Sequence, residues 1–562
     1  MDEFEAVPPP PARPPAPRDE ALERLGAQPW DVLVVGGGIT GAGIALDAAS
    51  RGLRVALVER DDLASGTSSR SSSLVHGGLR YIEQYGFGLV RESAAERERL
   101  RKLAPHLVRP LRFTIPHQGR KRTSLLGVGL WMYDSIALFR GPSRHRRLEP
   151  HDVVERLPGL TAQLDGFGYE YSDCRTDDVR LVLAVVRAAE RHGATVLTRA
   201  EVVEVRRAAG RVVGATVRDR LSGRSVGVSA RWTVSATGVW ADDLRAMAEA
   251  GTPMLRPSKG VHLVFPAELL RVRTAGVVPS VAGDRRSVFL IPWGGQVLVG
   301  TTDDSYDGPL DRPAVDQRDA DYLCAAVNRA FGTALSAADA VGAYAGLRPL
   351  LHGEQDKEVG TDRLSRRHAL LVETPGLLTV TGGKLTTYRA MAVEAVDRLA
   401  DDLGGAKARR RSGTGRIALG LRGDFGEAVA RTELLCERVG VDPALARGLV
   451  ERHGDDAPEL VELAARHGED GPLAPGAPYL AVEARWAVER EHALAVADVL
   501  QRRLKVARRV ADGGASAAPR VAALLASAQG WGSAQAERSV AEHLAGVRDE
   551  RGPVPLAAPA AV

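Results

Sequence analysis

The order of hydrophobic and polar positions predicts a strand, a helix and a second strand near the start of the chain. The apolar segment WDVLVV begins at Trp30, and a glycine turn and the helical pattern GIALDAASRG come after it. A second apolar segment, RVALVE, ends near Glu59. Continuous apolar runs on both sides of a helix are typical of strands buried on both faces. The segment is therefore interpreted as a βαβ unit.

Apolar runs of strand length recur through the middle of the chain, after a charge-rich helical segment at Leu89–Leu103. The predicted strands are Thr195–Val205, Arg211–Val217, Arg231–Ala236, Val261–Phe265, Ser287–Pro292, Gln296–Gly300, Ala369–Glu373 and Leu377–Thr381. A helix is predicted from about Leu385 onward. These runs predict a mixed sheet domain beside the βαβ unit.

Two breaks in the pattern set the expected limits of these domains. Residues 1–27 include PPPPARPPAP and are expected to be a disordered proline-rich arm, because they offer little apolar surface to bury. The sequence KARRRSGTG at 407–415 interrupts the pattern again, and the residues beyond it are nearly all in helical patterns, including Leu480–Ala507. Residues 410–550 are therefore expected to form a separate C-terminal helical domain.

Composition narrows the class of protein. A chain of 562 residues is too long for one ordinary core, so two or three packed units are expected. The net charge of +4 is small beside 75 basic and 71 acidic residues, and we predict no nucleic-acid partner. Cys174, Cys324 and Cys436 lie far apart, which argues against disulfides and zinc and fits a reducing cytoplasm. No spacing of His, Asp and Glu predicts a metal site.

Any membrane contact is expected to be peripheral. The N-terminus is acidic and then proline-rich, so no signal peptide is predicted. The most apolar stretch, Leu125–Phe139, is shorter than the roughly 20 residues that span a bilayer, and it contains Asp134.

Three glycines come after the first predicted strand at the spacing of a dinucleotide site. In VVGGGITGAG, Gly36 permits a tight turn, Gly38 lets the backbone approach a pyrophosphate, and Gly41 permits close packing of helix on sheet. The helix N-terminus favours phosphate, and Glu59 can accept hydrogen bonds from a ribose. A plain strand-to-helix turn is the alternative, but strand, helix and acid coincide here. The pattern predicts a bound dinucleotide, either NAD or FAD.

A second turn favours FAD. The predicted strand RWTVSA leads into Thr237 and Gly238, a small turn that lets the chain pass close to an extended cofactor. Taken alone, this turn is an ordinary strand end. Because only one glycine fingerprint occurs, a separate nicotinamide domain is not expected.

Six longer strings of residues carry a more specific signal. They are SSRSSSLVHGGLRY (68–81), KLAPHLVRPLRFTIPH (102–117), SKGVHLVF (258–265), IPWGGQVLVGTTD (291–303), GLRPL (346–350) and TGGKLTTYR (381–389). Together they closely resemble the FAD-dependent glycerol-3-phosphate dehydrogenases. The resemblance covers about residues 30–520, and the proline-rich arm lies outside it.

The resemblance implies a fold that is α/β and α+β. We expect a Rossmann-like FAD-binding domain with a mixed-sheet substrate domain, as in D-amino-acid oxidases, and an added C-terminal helical domain. The first two are expected to interleave within residues 28–405. The FAD part is expected at about 28–85, 170–245 and 376–405, and the substrate part at about 86–169 and 246–375.

The resemblance also implies association with the cytoplasmic face of the membrane. The expected contact is Leu125–Phe139, because it is apolar and basic residues flank it. The flanking residues are Arg120, Lys121, Arg122, Arg140, Arg144, Arg146 and Arg147. The alternative for this segment is a core helix or a contact within a homodimer.

Arginines are expected to hold the substrate phosphate, because a guanidinium group meets phosphate oxygens bidentately and stays charged. The resemblance selects Arg80 in HGGLRY, Arg348 in GLRPL and Arg366 in LSRRH. The neighbouring Arg367 leaves the register of the last one open. Tyr81 is expected to add a hydroxyl contact or to pack beside the flavin.

The expected catalytic residues are His262, Arg348 and Lys384. His262, in SKGVHLVF, is the candidate base for the hydroxyl proton, since imidazole accepts a proton near neutral pH. Without the resemblance, a lone histidine in a strand is more often a hydrogen-bonded core residue. His76 is expected to support flavin packing.

The segment TGGKLTTYR is expected to hold the flavin ring. Gly382 permits a close approach, backbone N–H groups up to Leu385 can point at the ring, and Lys384 can balance the negative charge of the reduced flavin. Ser71 and Ser72 lie in a hydroxyl-rich loop and are expected to bond cofactor phosphates or ring edges.

These residues predict an enzyme that oxidises sn-glycerol 3-phosphate to dihydroxyacetone phosphate. The hydride passes to FAD and the electrons pass to a quinone. One alternative is an oxidase for glycerol 3-phosphate, an amine or an amino acid that uses oxygen. Another is a flavin-binding protein without catalysis. Three arginines favour a phosphate over a zwitterion, and the presence of His262, Arg348 and Lys384 argues against lost chemistry.

Overall fold

Two β-sheets and a set of C-terminal helices form the part of the chain that the computed structural model describes. The described residues are 16–78, 87–117, 125–136, 141–161, 166–249, 251–281, 286–351, 368–474 and 478–558.

The strands lie between Trp30 and Gly382. They are β1 (Trp30–Val35), β2 (Val55–Val58), β3 (Leu74–Val75), β4 (Arg109–Pro116), β5 (Arg146–Leu148), β6 (Gly168–Arg175), β7 (Thr195–Leu197), β8 (Ala200–Ala208), β9 (Arg211–Asp219), β10 (Ser225–Ser235), β11 (Leu255–Pro266), β12 (Ala275–Pro279), β13 (Ser287–Trp293), β14 (Gln296–Gly300), β15 (Asp304–Ser305), β16 (Gly342–Leu351), β17 (His368–Leu371) and β18 (Leu377–Gly382).

The helices alternate with these strands and then dominate the C-terminal region. They are α1 (Arg18–Ala27), α2 (Ile39–Ser50), α3 (Phe87–Leu103), α4 (Leu125–Ile136), α5 (Pro150–Arg156), α6 (Asp178–Arg191), α7 (Ala241–Met247), α8 (Gln317–Phe331), α9 (Tyr388–Leu403), α10 (Gly405–Ala408), α11 (Phe425–Val439), α12 (Ala446–His453), α13 (Ala457–His467), α14 (Ala481–Arg490), α15 (Ala518–Gln529) and α16 (Ser533–Arg551).

The first sheet has the predicted βαβ unit at its centre. Its order is β17-β18-β10-β1-β2-β7, and all neighbours from β18 to β7 run parallel. Parallel strands must be covered on both faces. The helices α2, α6 and α9 bury one face, while α1 and the β8–β9–β10 meander contribute to the core on the other.

The second sheet is mixed, as the sequence predicts. Its order is β15-β11-β14-β13-β12-β4-β6-β3, with β16 beside β11 and β5 beside β6. The helix α8 packs its buried side chains against this sheet. The antiparallel register of β11 and β16 sets His262 opposite Tyr344 and Ser258 opposite Arg348, so one pair of strands carries two of the three expected catalytic residues.

The C-terminal helices enclose their own apolar clusters and are joined to the first sheet by buried charges. Asp62, just after β2, forms ion pairs with Arg502 and Arg503, and all three side chains are buried. A buried charge is strongly destabilising when its partner is removed. The C-terminal region is therefore docked specifically on the first sheet.

The expectation of a disordered arm was wrong for residues 18–27, which form α1. Leu22 and Leu25 are buried against the first sheet, and Arg18 pairs with Asp219 at 2.5 Å. This segment has few apolar residues, and the prolines before it dominate the composition of residues 1–27. The hydrophobic pattern therefore did not predict a helix here. Tertiary burial supplies the stability that the segment lacks alone.

Three strands lie in a different sheet from the one expected. β3 and most of β6 fall in the stretches assigned to the FAD part, yet they pair with each other in the second sheet. β17 falls in the stretch assigned to the substrate part, yet it pairs with β18 in the first sheet. Sheet membership depends on partners distant in sequence, which a local hydrophobic pattern does not encode.

Two predicted elements are interrupted where the backbone turns left-handed. The strand expected at Thr195–Val205 breaks at Arg199, which has a φ of 53°. The helix expected at Leu480–Ala507 ends with α14, just before His492, which has a φ of 57°, and a π-helical turn follows at Asp498–Arg503. Positive φ in a non-glycine residue interrupts regular structure.

The helix α4 lies partly in the core and partly at the surface. Leu130 and Tyr133 are buried, whereas Val128 is 58% and Trp131 is 60% exposed. In the described part of the chain, no helix combines the length and the apolar character needed to cross a bilayer.

Candidate active site

A cavity of about 460 Å³ lies between the two sheets, where β1, β10 and β18 end. Ligands of open α/β sheets bind at these carboxyl ends. The cavity wall contains most of the predicted site residues: Gly36, Gly38, Glu59, Ser71, Ser72, His76, Thr237, Gly238, His262, Arg348, Gly382, Lys384 and Leu385. The fold thus gathers residues from widely separated parts of the sequence into one space.

The glycines after β1 have different roles. Gly36 has a φ of +111°, and a Cβ there would lie 2.5 Å from the carbonyl oxygen of Ala236. A Cβ on Gly41 would overlap the carbonyl oxygen of Gly36, so only glycine lets α2 pack against the turn. Gly38 has an ordinary φ of −78° and borders the cavity, where a Cβ would meet only Ser68 Oγ, at 3.2 Å.

The N-terminus of α2 points its first amide groups at this wall. The N–H of Ile39 donates to Ser68 Oγ at 3.0 Å, and Gly38 has no side chain to cap the helix. Helix N-termini attract anions. Ser68 was not singled out from the sequence, although it belongs to the same serine-rich run as Ser71 and Ser72.

Glu59 fixes the turn as well as lining the cavity. Its carboxylate accepts from the N–H of Gly37 at 2.6 Å and from the N–H of Asp61 at 2.8 Å. Burial raises the pKa of Glu59, and the two backbone N–H groups oppose that effect. Part of its expected capacity to accept bonds from a ribose is therefore used to hold the glycine turn in place.

The other two strand ends also turn through glycine. Gly238 has a φ of +60°, and Gly382 and Gly383 have φ values of +74° and +76°. A 3₁₀ turn, Leu385–Thr387, then leads into α9. Lys384 Nζ donates to Ser93 Oγ at 3.4 Å and lines the cavity. This edge supplies a close backbone approach and a cation together.

His76 and the TGGKLTTYR segment hold each other through the backbone. The N–H of His76 donates to Thr386 Oγ1 at 3.1 Å, and this hydroxyl donates to the carbonyl oxygen of His76 at 3.2 Å. The two segments that carry the most specific strings of the sequence therefore form one continuous wall.

His262 is a buried and neutral imidazole. Its Nε2 lies 2.8 Å from Ser72 Oγ, and its ring stacks on Tyr344 with centroids 4.9 Å apart. Burial, followed by the charges of Arg348 and Arg508, lowers the pKa of His262 to about 3. The imidazole is therefore in the form that accepts protons at neutral pH.

Arg348 reaches the same cavity from β16 and is held by four oxygen atoms. Its Nη1 lies 3.3 Å from Ser258 Oγ and 3.2 Å from Asp303 Oδ1. Its Nη2 lies 3.0 Å from Thr301 Oγ1 and 3.1 Å from the carbonyl oxygen of Thr302. These contacts fix the orientation of the guanidinium group before any ligand binds.

The hydroxyl groups of Ser71 and Ser72 are bonded to protein groups. Ser71 Oγ donates to Asp178 Oδ2 at 2.6 Å, and Ser72 Oγ pairs with His262. Both residues also line the cavity. Their role as cofactor ligands stays a prediction. Their observed bonds organise the loop and the imidazole.

Three expected substrate residues, Arg80, Tyr81 and Arg366, lie outside the described residues. Their roles stay predictions. The basic residues Arg120, Lys121, Arg122 and Arg140, which flank α4 in the sequence, lie outside them as well.

One cluster of polar and aromatic side chains at the cavity was not predicted from the sequence. Arg60 Nη2 lies 2.6 Å from Asp311 Oδ1, and Trp240 Nε1 donates to the same oxygen at 2.8 Å. The Arg60 guanidinium also lies over the Trp240 ring, 5.1 Å from its centroid. Arg60 and Trp240 line the end of the cavity near Glu59. The one available signal is that Arg60 directly follows Glu59.

Thiol chemistry is not expected at this site. Cys174, Cys324 and Cys436 are all buried and free. Burial raises the pKa of Cys174 to about 12 and that of Cys324 to about 11, so both stay protonated. Among the described residues, no three His, Cys, Asp or Glu side chains form a cluster that could hold a metal ion.

Two family models match the chain. A model described as FAD dependent oxidoreductase matches residues 31–389, which is more than half of the chain. A model described as the C-terminal domain of alpha-glycerophosphate oxidase matches residues 417–536. The first match contains the whole cavity, and the second lies within the C-terminal helical region.

Similar proteins span nearly the whole chain. Glycerol-3-phosphate dehydrogenase 2 of Mycobacterium tuberculosis is 40% identical over 542 residues, which are 95% of this chain and 91% of that protein. Glycerol-3-phosphate dehydrogenase of Mycobacterium leprae is 40% identical over 544 residues, with the same coverage of each.

A solved structure matches the whole fold. The glycerol-3-phosphate dehydrogenase of Bacillus halodurans, complexed with FAD, superposes with a TM-score of 0.78 at 29% identity. The match covers 96% of this chain and 99% of that one. The fold class expected from the sequence, an FAD-dependent oxidoreductase fold with a C-terminal helical region, is therefore confirmed.

The different surroundings of Gly36 and Gly38 lead to a testable difference between two substitutions. We expect Gly38→Val to fold normally but to lose its dinucleotide, because the new side chain occupies cavity space. We expect Gly36→Ala to unfold at lower temperature, because alanine is strained at that φ and against Ala236. Thermal melting and the cofactor content of the purified variants check both outcomes. If Gly38→Val folds and keeps a normal cofactor content, the cavity wall beside Gly38 does not bind the dinucleotide.

Proposed function

Because the chain belongs to the family of FAD-dependent glycerol-3-phosphate dehydrogenases, with FAD as its cofactor, we propose that it oxidises sn-glycerol 3-phosphate to dihydroxyacetone phosphate by hydride transfer. The observation that supports this most is the meeting of His262, Arg348 and Lys384 in one cavity with the glycine turns. The proposed base, the proposed phosphate-binding arginine and a lysine cation thus line the same cavity.

The cavity wall fits the cofactor. Gly38 and the N-terminus of α2 suit a pyrophosphate, and Glu59 stands at the end of β2 for a ribose. Gly382 and Lys384 suit the ring end, because reduction leaves negative charge that a cation stabilises. Bound FAD supplies the acceptor for the two electrons and the hydrogen that leave C2 of the substrate.

His262 is proposed to take the proton of the C2 hydroxyl. Loss of this proton and of the hydride from C2 converts the alcohol into the ketone, so the atoms and charges balance. The low pKa of the imidazole keeps it unprotonated, and a bound dianionic phosphate would raise its proton affinity. Ser72 Oγ contacts Nε2 and Nδ1 is buried, so Nε2 is the proposed proton acceptor once the substrate hydroxyl replaces that of Ser72.

Arg348 is proposed to grip the phosphate. Ser258, Thr301 and Asp303 hold its guanidinium group, so little side-chain entropy is lost on binding. We propose that Arg80 and Arg366 add further charge and that Tyr81 adds a hydroxyl.

A quinone is the proposed final acceptor, and α4 is the proposed membrane contact. Val128 and Trp131 are exposed on this short apolar helix, and Arg144, Arg146 and Arg147 come after it in sequence. An exposed aromatic beside basic residues suits an anionic bilayer surface. The same face could instead join two copies in a homodimer.

An oxidase that uses oxygen is the second candidate. The family model that matches residues 417–536 describes a C-terminal domain of alpha-glycerophosphate oxidase. Acceptor choice depends on space beside the flavin, so it must be measured.

The main test is anaerobic mixing of the purified flavoprotein with glycerol 3-phosphate. We expect the flavin absorbance to bleach within turnover time, and glycerol or an amino acid to leave it unchanged. Added quinone should then restore the absorbance faster than air does. Faster recovery in air supports the oxidase instead, and no bleaching by any substrate identifies a protein that binds flavin without catalysis.

Arg348→Ala should lower kcat/KM for glycerol 3-phosphate by on the order of a hundredfold, because charged hydrogen bonds to the phosphate are lost. FAD content should stay normal. Arg348→Lys should recover part of the activity, since it keeps the charge without the planar fork. Arg312→Ala, at a side chain that is 82% exposed, serves as the control and should match the unmodified protein. Equal loss of FAD and of substrate use in Arg348→Ala would argue against this role.

Trp131→Ala should weaken sedimentation of the protein with anionic vesicles, because the variant lacks the exposed indole that enters the lipid–water interface. Leu221→Ala, an exposed apolar position on a different surface, is the matched control. If vesicle binding is unchanged but the variant elutes as a smaller species in gel filtration, α4 is a contact between two copies.

A further inference from the structure

The C-terminal region contributes cations to the loop that carries the active-site serines. We define residues 69–73 as the serine loop. Lys505 Nζ lies 2.6 Å from Asp178 Oδ1, and the other oxygen of this carboxylate accepts from Ser71 Oγ at 2.6 Å. All three residues are at least partly buried. One side of the loop is thus fixed by a charge from the helical region.

Arg508 acts directly on the other side of the loop. It donates to the carbonyl oxygen of Ser69, and its Nη2 lies 3.2 Å from Glu550 Oε1. The same oxygen of Glu550 lies 2.9 Å from Arg70 Nε. Glu550 belongs to α16, so two separate C-terminal segments converge on the serine loop.

Arg508 also contacts the ring on which His262 stacks. Its guanidinium carbon lies 4.3 Å from the centroid of Tyr344. The Tyr344 and His262 rings are 4.9 Å apart and inclined by only 16°. The hydroxyl of Tyr344 donates to the carbonyl oxygen of Ser71 at 2.8 Å. Arg508, Tyr344 and His262 therefore form one stacked series.

Many catalytic histidines are oriented by a carboxylate that accepts a hydrogen bond from the second ring nitrogen. Nδ1 of His262 is buried, and among the described residues it has no hydrogen-bond partner. The orientation of the ring therefore depends on Ser72 and Tyr344. The charges that act on it are Arg348 and Arg508, which help burial to keep its pKa low. Tyr344 stays neutral, because burial raises its pKa.

We propose that Arg508 is a positioning residue for the reaction, which holds Tyr344 and the serine loop so that His262 and Ser72 face the substrate correctly. The C-terminal region is then part of the active site, acting through contacts with the residues that meet the substrate. This inference rests on the proposed role of His262 as the base.

Removal of Arg508 has a defined effect on pH dependence. The active form of His262 is neutral, so kcat/KM falls at low pH as the imidazole becomes protonated. Loss of a neighbouring positive charge makes protonation easier and raises the pKa of His262. The acid limb of the profile should therefore move to higher pH.

The test compares Arg508→Met, Arg508→Lys and Arg509→Met as holoenzymes. Arg509 is the matched control, because it is adjacent and lies over Trp293 and Tyr479. We expect Arg508→Met to reduce its flavin roughly tenfold more slowly with normal FAD content, and to show the shifted acid limb. Arg508→Lys should keep the acid limb near its original position but lose rate, since it lacks the planar group. Arg509→Met should change neither.

A direct titration separates this inference from the proposed function. NMR of histidine-labelled protein, with His262→Gln to identify the signal, should show a higher His262 pKa in Arg508→Met. An unchanged signal together with an unchanged rate overturns the inference. If the unmodified protein is not reduced by glycerol 3-phosphate, the proposed function fails while the titration still decides the inference. If Arg508→Met loses FAD, the variant Tyr344→Leu is tested in its place. An unaltered rate of flavin reduction in folded Tyr344→Leu overturns the inference.

Discussion

The cofactor cleft depends on three parallel strands that end at the same edge of one sheet. After β1, β10 and β18 the chain turns through Gly36, Gly238 and Gly382, all with positive φ. A side chain at Gly36 would strike the carbonyl of Ala236, and one at Gly41 would strike Gly36 itself. Because glycine has no side chain, the backbone segments at these two positions can pack closely. This close packing lets the N-terminus of α2 point into the cleft. The position of Lys384, just after β18, follows from this edge.

The sequence predicted the fold best where neighbouring residues encode it, as in the βαβ unit, while the roles of the site residues stay predictions. The βαβ unit, its three glycines and Glu59 lie within one short stretch, and each has a physical reason for its place. The long strings added His262, Arg348 and Lys384, which no local pattern would have joined. The register of β11 on β16 brings the first two together, and that register is a property of the folded sheet.

The errors arose where a residue's partner is remote. The helix α1 looked like part of a proline-rich arm, because its few leucines are stabilised only by burial against the sheet. The strands β3, β6 and β17 were assigned by sequence position, while their hydrogen bonds place them in the opposite sheet. The partner of Ser72 is a histidine 190 residues away. Composition and periodicity carry no record of such pairings.

The interleaving of the two sheets has a consequence for synthesis of the protein. A ribosome releases β1, α2 and β2 early, but β10 and β18, which complete the edge, come from much later in the chain. The cofactor cannot be enclosed until the residues around 384 have emerged, so the nascent chain must keep an unfinished parallel sheet while the second sheet is being made. Insertion of β18 is therefore the event that ends this exposure, and the C-terminal helices, which are made after β18, dock on a sheet that is already complete.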